Sequence, residues 1–196
     1  VYKAPVTAAR DTIGMSFPAA RVAPVIGYYR HSLTDEPLHL AYMVGRIVNV
    51  DGPRLVGMSE RHYTSVSGRT HFELEALRTG RGRIRTWVDG SDTTLYVPVD
   101  APLPAASFGE YAGSFYSEEA DVAASILVEN GKVVLFERPS DRVALSPIYA
   151  DGFNADGSYV KFVRDSDGHV NGFLVTSGRA RNVRFDRVKA RTATRP

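Results

Sequence analysis

The chain has 196 residues, of which 43% are hydrophobic and 23% charged. That balance excludes a disordered chain and suits one ordinary domain or two small ones. The net charge of only +2 gives no overall basic field, and the lack of cysteine excludes disulfides, thiolate metal sites and cysteine nucleophiles.

Residues 1–24 are rich in Ala and Pro. Pro5, Pro18 and Pro24 break any long helix, so the segment reads as a linker running over a neighbour, with one helical turn near Ala19–Val22. From Val25 onward, short β-branched or aromatic runs alternate with Gly, Asp, Asn and Ser. The runs at 40–44, 46–50, 70–74, 83–88 and 94–97 read as strands. So do those at 124–128, 132–136, 159–163, 172–175 and 182–185. Asp51-Gly52, Asp89-Gly90, Asn130-Gly131, Asp151-Gly152, Asp156-Gly157 and Asp167-Gly168 accept the positive φ angles of tight hairpins. No long helical period appears, and the class is all-β.

A repeat at an offset of about 86 residues organises these strands. Gly27-Tyr-Tyr29 matches Gly113-Ser-Phe-Tyr116, and Gly45-Arg-Ile-Val48 matches Gly131-Lys-Val-Val134. Phe72 matches Phe162, Trp87-Val88 matches Leu174-Val175, and Tyr96 matches Phe185. The chain is therefore expected to hold two tandem antiparallel up-and-down β-barrels of about eight strands each, lipocalin-like in form. The first would span 25–103 and the second 104–196, ending in a basic tail, with the boundary near Asp100–Ala106. Tyr111, Phe115, Tyr116, Phe136, Phe153, Phe162, Phe173 and Phe185 should fill most of the second core. The basic end (Arg179, Arg181, Arg184, Arg187, Lys189, Arg191 and Arg195) is broken by Val183, Phe185 and Val188 at strand spacing. It reads as a solvent-facing strand and a frayed terminus rather than a nucleic-acid arm.

In order along the second half come Tyr111-Ala-Gly-Ser-Phe-Tyr-Ser-Glu-Glu119, Leu127-Val-Glu-Asn-Gly-Lys-Val-Val-Leu135, and Phe162-Val-Arg-Asp-Ser-Asp-Gly-His-Val-Asn-Gly-Phe173. Ser177-Gly-Arg-Ala-Arg-Asn-Val-Arg-Phe-Asp-Arg-Val188 closes the series. Over about residues 105–190 it resembles the β-barrel domain that follows the catalytic domain in serine hydrolases of the β-lactamase and penicillin-recognising class. The first module is similar to the same domain more weakly, and the tandem pair resembles that of the D-aminopeptidases. The resemblance implies an accessory region that braces an upstream β-lactamase-like catalytic domain, shapes substrate access or mediates oligomer contacts, a homo-oligomer included. The start at Val1 agrees with a fragment or processed product whose leader, if any, is missing.

Candidate chemistry is sparse. Ser158-Tyr-Val-Lys161 has the Ser-x-x-Lys spacing of those hydrolases, but it opens a strand. Residues three apart on a strand point to opposite faces, so the amine cannot serve the hydroxyl. His62 and His71 can meet across a hairpin flanking Ser65 and Ser67, yet no metal-binding His motif is present. Asp165-Ser-Asp-Gly168 is too short for a calcium loop and reads as a turn. Glu118-Glu119 reads as a solvated rim, Gly80-Arg-Gly-Arg83 as a basic turn, and Trp87 as packing. No residue is therefore assigned to a catalytic, cofactor or metal site. No partner nucleic acid and no membrane span are expected, since no 18-residue apolar stretch occurs. The compartment stays open, with a periplasmic or secreted place slightly favoured over the cytoplasm. The alternative reading is a small lipocalin-like binder of an apolar ligand.

Overall fold

The computed structural model describes residues 14–75, 81–138 and 141–188. A short helix, α1 (Ala19–Val22), runs into a 3-10 turn at Ala23–Val25. Eight strands follow: β1 (Gly27–His31), β2 (Pro37–Met43), β3 (Arg46–Asn49), β4 (Leu55–Gly57), β5 (His62–Ser65), β6 (Thr70–Glu75), β7 (Arg83–Val88) and β8 (Thr94–Val99). A second 3-10 helix, Ala105–Tyr111, precedes β9 (Gly113–Ser117), β10 (Val122–Glu129), β11 (Lys132–Arg138) and β12 (Asp141–Tyr149). The chain ends in β13 (Gly152–Ala155), β14 (Ser158–Arg164), β15 (Val170–Ser177) and β16 (Ala180–Arg187).

The first eight strands form a sheet in the order β3-β2-β1-β8-β7-β6-β5-β4. The second eight form a closed barrel, β10-β11-β12-β13-β14-β15-β16-β9. Shifted by eight, the two orders are the same, and only the final pairing between third and fourth strands separates the open sheet from the closed one. The molecule is all-β, with two antiparallel eight-stranded barrel-like sheets. Two compact units emerge from the packing. Of the described residues, one takes 14–26 with those of His39–Tyr96, and the other takes Gly27–Leu38 with those of 97–188.

In the second unit, alternation along each strand decides what is inside. On β14, Val160 and Phe162 are buried while Lys161 and Val163 are not. Irregularities at Phe136/Arg138, Pro147/Tyr149, Val163/Arg164 and Val175/Ser177 interrupt the ladders. Such bulges bend a strand and help a sheet curl onto itself. Closure comes where Asp186 pairs with Tyr116 and Arg187 with Phe115, extended by a 2.8 Å bond from the Val188 N–H to the Ser114 carbonyl.

The interior is a run of touching rings. Tyr111 stacks on Phe162 at 4.3 Å, Phe115 meets Phe173 edge-on at 4.9 Å, and Phe173 stacks on Phe185 at 4.7 Å. Each such contact adds about 1 kcal/mol beyond the area it buries. Six of the expected core aromatics are there. Tyr116 is not: its neighbour Phe115 takes the inward position, and the Tyr116 hydroxyl bonds Asp121 outside. Phe136 lies beneath the Arg142 guanidinium, outside the buried core. Phe108 joins the core instead, from the 3-10 helix that the sequence pattern did not mark.

That helix plugs one end of the barrel, with Phe108 and Tyr111 buried. Two arginines fasten it. The Arg164 guanidinium makes two bonds to Asp151, at 2.7 and 2.8 Å, and a third to Glu110 at 2.7 Å. The Tyr111 hydroxyl donates to the same Asp151 at 2.8 Å, and burial with that carboxylate raises the phenol's pKa above its ordinary range. Arg187 lies 4.9 Å over the Phe115 ring and donates to the carbonyls of Val170, Ala112 and Glu110, each at 2.8 Å.

The first unit repeats the device with smaller side chains. Val22 and Val25, about 86 residues before Phe108 and Tyr111, are buried at the matching helical turns. Residues 14–17 run from the end of β4 to the turn before β3. Met15 N–H donates to Gly57 O, Phe17 N–H to Gly45 O, and the Tyr42 hydroxyl to Phe17 O.

Arg187→Met should orphan three carbonyls at the plug and cost about 3 kcal/mol. Urea denaturation followed by circular dichroism should show a correspondingly lower midpoint. A loss below about 1 kcal/mol would mean the plug does not depend on this side chain.

Candidate functional site

Ser158 and Lys161 open β14 but do not meet. Ser158 Oγ donates to Ser177 Oγ at 2.8 Å, whereas Lys161 Nζ donates to Asp35 Oδ1 at 2.9 Å. Asp35 sits in the turn after β1, with φ +59° and its side chain only 4% exposed. Arg30 donates to the same oxygen at 2.9 Å, and the Tyr149 hydroxyl donates to the Asp35 carbonyl at 3.0 Å. Gly152 makes room for that tyrosine, since a Cβ there would come within 2.0 Å of the Tyr149 ring. Burial raises the Tyr149 phenol above its ordinary range, so it stays a donor. In the same turn His31 Nδ1 accepts the N–H groups of Leu33 and Thr34, and burial lowers this imidazole's pKa. The lysine thus belongs to a part-buried ion pair with Asp35 and stands apart from Ser158.

Ser158 and Ser177 lie instead on the rim of a cavity of about 280 Å³ in the second unit. Leu135, Val143, Ala155, Val160 and Val175 make its walls, and Asp141 joins the serines as the polar edge. Apolar walls with a few polar groups at the edge are the usual make-up of a small-ligand pocket, and this volume is at the low end of such pockets.

In the first unit the hairpin brings His62 and His71 together. Tyr63 and Phe72, which face each other across β5 and β6, are buried, so His62 and His71 fall on the opposite face. His62 Nε2 stands 3.1 Å from His71 Nδ1, and His71 Nε2 stands 2.9 Å from Asp89 Oδ1. Trp87 pairs with His71 across the ladder. Its ring lies nearly parallel to both imidazoles, with centroids 4.9 Å and 6.0 Å away. An ionised carboxylate only accepts, so Asp89 places the His71 proton on Nε2. Nδ1 then accepts from His62 Nε2–H, which leaves a lone pair on His62 Nδ1. Ser65 and Ser67 take no part. Ser65 shares the buried side of β5, its hydroxyl lies 2.9 Å from that of Ser67, and it accepts the Thr70 N–H. Trp87 is therefore a cover for two imidazoles rather than core packing. Asp89, read from the sequence only as a turn residue, completes the group because the β7 register ends beside it.

The other candidates stay apart. Asp165 Oδ1 accepts the N–H groups of Asp167 and His169, which makes the expected hairpin turn. The three side chains come within 4.8 Å of one another in full solvent. Glu118 and Glu119 are exposed in the turn after β9. Gly80 lies outside the described residues, and Arg81 and Arg83 lead into β7 rather than into a helix. In the basic end, Arg184 bonds Asp186 and Asn171 while Arg187 holds the plug. Lys189, Arg191 and Arg195 lie outside the described residues. No helix among the described residues is long and apolar enough to cross a membrane. Comparison of the chain with models of protein families and with curated proteins found no match.

Lys161→Met should leave Asp35 with Arg30 alone and cost about 2 kcal/mol of stability. Denaturant melts read this directly. An unchanged midpoint would show that the pair contributes nothing.

Proposed function

We propose that the chain is a non-catalytic accessory region of a serine hydrolase of the β-lactamase-like class. In this reading it braces a catalytic domain, shapes access to it or mediates oligomer contacts. The supporting observation is the separation of the one Ser-x-x-Lys pair: Ser158 is bonded to Ser177, and Lys161 is neutralised on Asp35. A seryl nucleophile needs its base within hydrogen-bond reach, and here the amine is spent elsewhere. The aromatic filling of the second barrel favours a scaffold in the same way. Incubating the purified chain with nitrocefin and with D-amino-acid p-nitroanilides is expected to give no turnover above buffer. Turnover that disappears in Ser158→Ala would overturn this reading.

A second reading, a small-ligand binder, is favoured by the cavity of about 280 Å³ beside Ser158 and Ser177. Asp141 on its edge disfavours anions, so a neutral probe is the right one. N-phenyl-1-naphthylamine fluorescence should rise saturably on adding the chain. Ala155→Trp, which fills the cavity, should abolish that rise. Equal binding by wild type and variant would place the dye elsewhere and dismiss the idea.

A further inference from the structure

Two features of the His62–His71 pair also suit a shared ligand. The nitrogens turned toward each other are 3.1 Å apart, and one imidazole is braced from behind by a carboxylate at 2.9 Å. Two nitrogens bound to one tetrahedral ion at about 2.1 Å stand about 3.4 Å apart. The observed spacing therefore lies close to what a single shared cation requires. A carboxylate on the far nitrogen of a ligating imidazole fixes its tautomer and raises its basicity. Asp89 is placed to do this for His71.

The site is reachable, since the His71 side chain is 18% and that of Asp89 60% exposed. Trp87 covers one side of the imidazole pair and shields it from water.

We propose that His62 and His71 bind a divalent transition ion, Zn²⁺ or Cu²⁺. Asp89 positions His71, and water completes the sphere. Imidazole donors select these borderline ions over Mg²⁺ and Ca²⁺, which demand oxygen. Cu²⁺ binds such sites more tightly than Zn²⁺ does. No covalent step is involved: the ion takes the place of the proton that the two nitrogens otherwise share.

Trp87 is the only tryptophan in the chain, so its fluorescence reports this face alone. Titrating the full chain with CuSO₄ should quench it, saturating at one equivalent, and excess ZnSO₄ should restore it. His62→Gln and His71→Gln should each weaken the quenching by more than tenfold. Asp89→Asn should weaken it by about tenfold. His39→Gln should leave the titration unchanged, and far-UV circular dichroism should confirm that every variant is folded. Absence of saturable quenching would overturn the assignment. So would quenching that survives in both His62→Gln and His71→Gln, or quenching produced by acid but by neither metal.

Discussion

A guanidinium at the end of a closed barrel must find acceptors, and among the described residues those bonded to Arg187 are backbone carbonyls. Val170, Ala112 and Glu110 each accept from it, and its flat face rests on Phe115. Burial with no carboxylate bonded to it pushes its pKa down from the ordinary arginine value. Each of its three nitrogens nonetheless donates one hydrogen bond, which offsets part of the cost of leaving water. One side chain thereby joins the last strand, the first strand, β15 and the 3-10 plug. Arg164 does the complementary work through carboxylates, joining β14 to Asp151 and Glu110. The ring-packed interior depends on this end staying shut, since Phe108 and Tyr111 reach the core only from the plug.

The same frame appears twice with different filling. In the second unit the inward positions carry Phe115, Phe153, Phe162 and Phe173; in the first they carry Tyr63, Phe72, Leu74 and Ile84. Strand order is kept although the side chains are not, because the order is set by hairpin connections and the closing pair of first and last strands. The distinct chemistry of each unit sits outside this shared plan. The histidine pair occupies the face of one sheet opposite Tyr63 and Phe72, and the pocket with Ser158 is lined by β11, β12, β13, β14 and β15 of the other.

What the sequence made legible follows from periodicity. β10 and β14 alternate and were readable as strands. β4 has three consecutive buried residues and therefore no period to read. β12 contains Pro147, which argues against a strand until its place at a register shift is seen. The meeting of His62 and His71 was foreseeable from hairpin spacing, but the part of Asp89 was not. It depends on how β7 is registered against β6, and an Asp-Gly dipeptide already has a sufficient reason to exist in a turn. Arg187 was likewise hidden among neighbours of equal charge, since only closure of the barrel distinguishes it from Arg184.

The difference between a closed and an almost closed ladder has a consequence for how the chain behaves in crowded surroundings. The second barrel presents no unpaired strand to a passing polypeptide, so misassembly by strand addition has nowhere to begin on it. The first sheet ends in β3 and β4, whose outer backbone groups form the natural template for an intruder. Residues 14–17, hydrogen-bonded to Gly57 and Gly45, stand guard over that opening. Met15 and Phe17 thus cover part of that edge with their backbone donors, and the buried Phe17 ring anchors them against Tyr63.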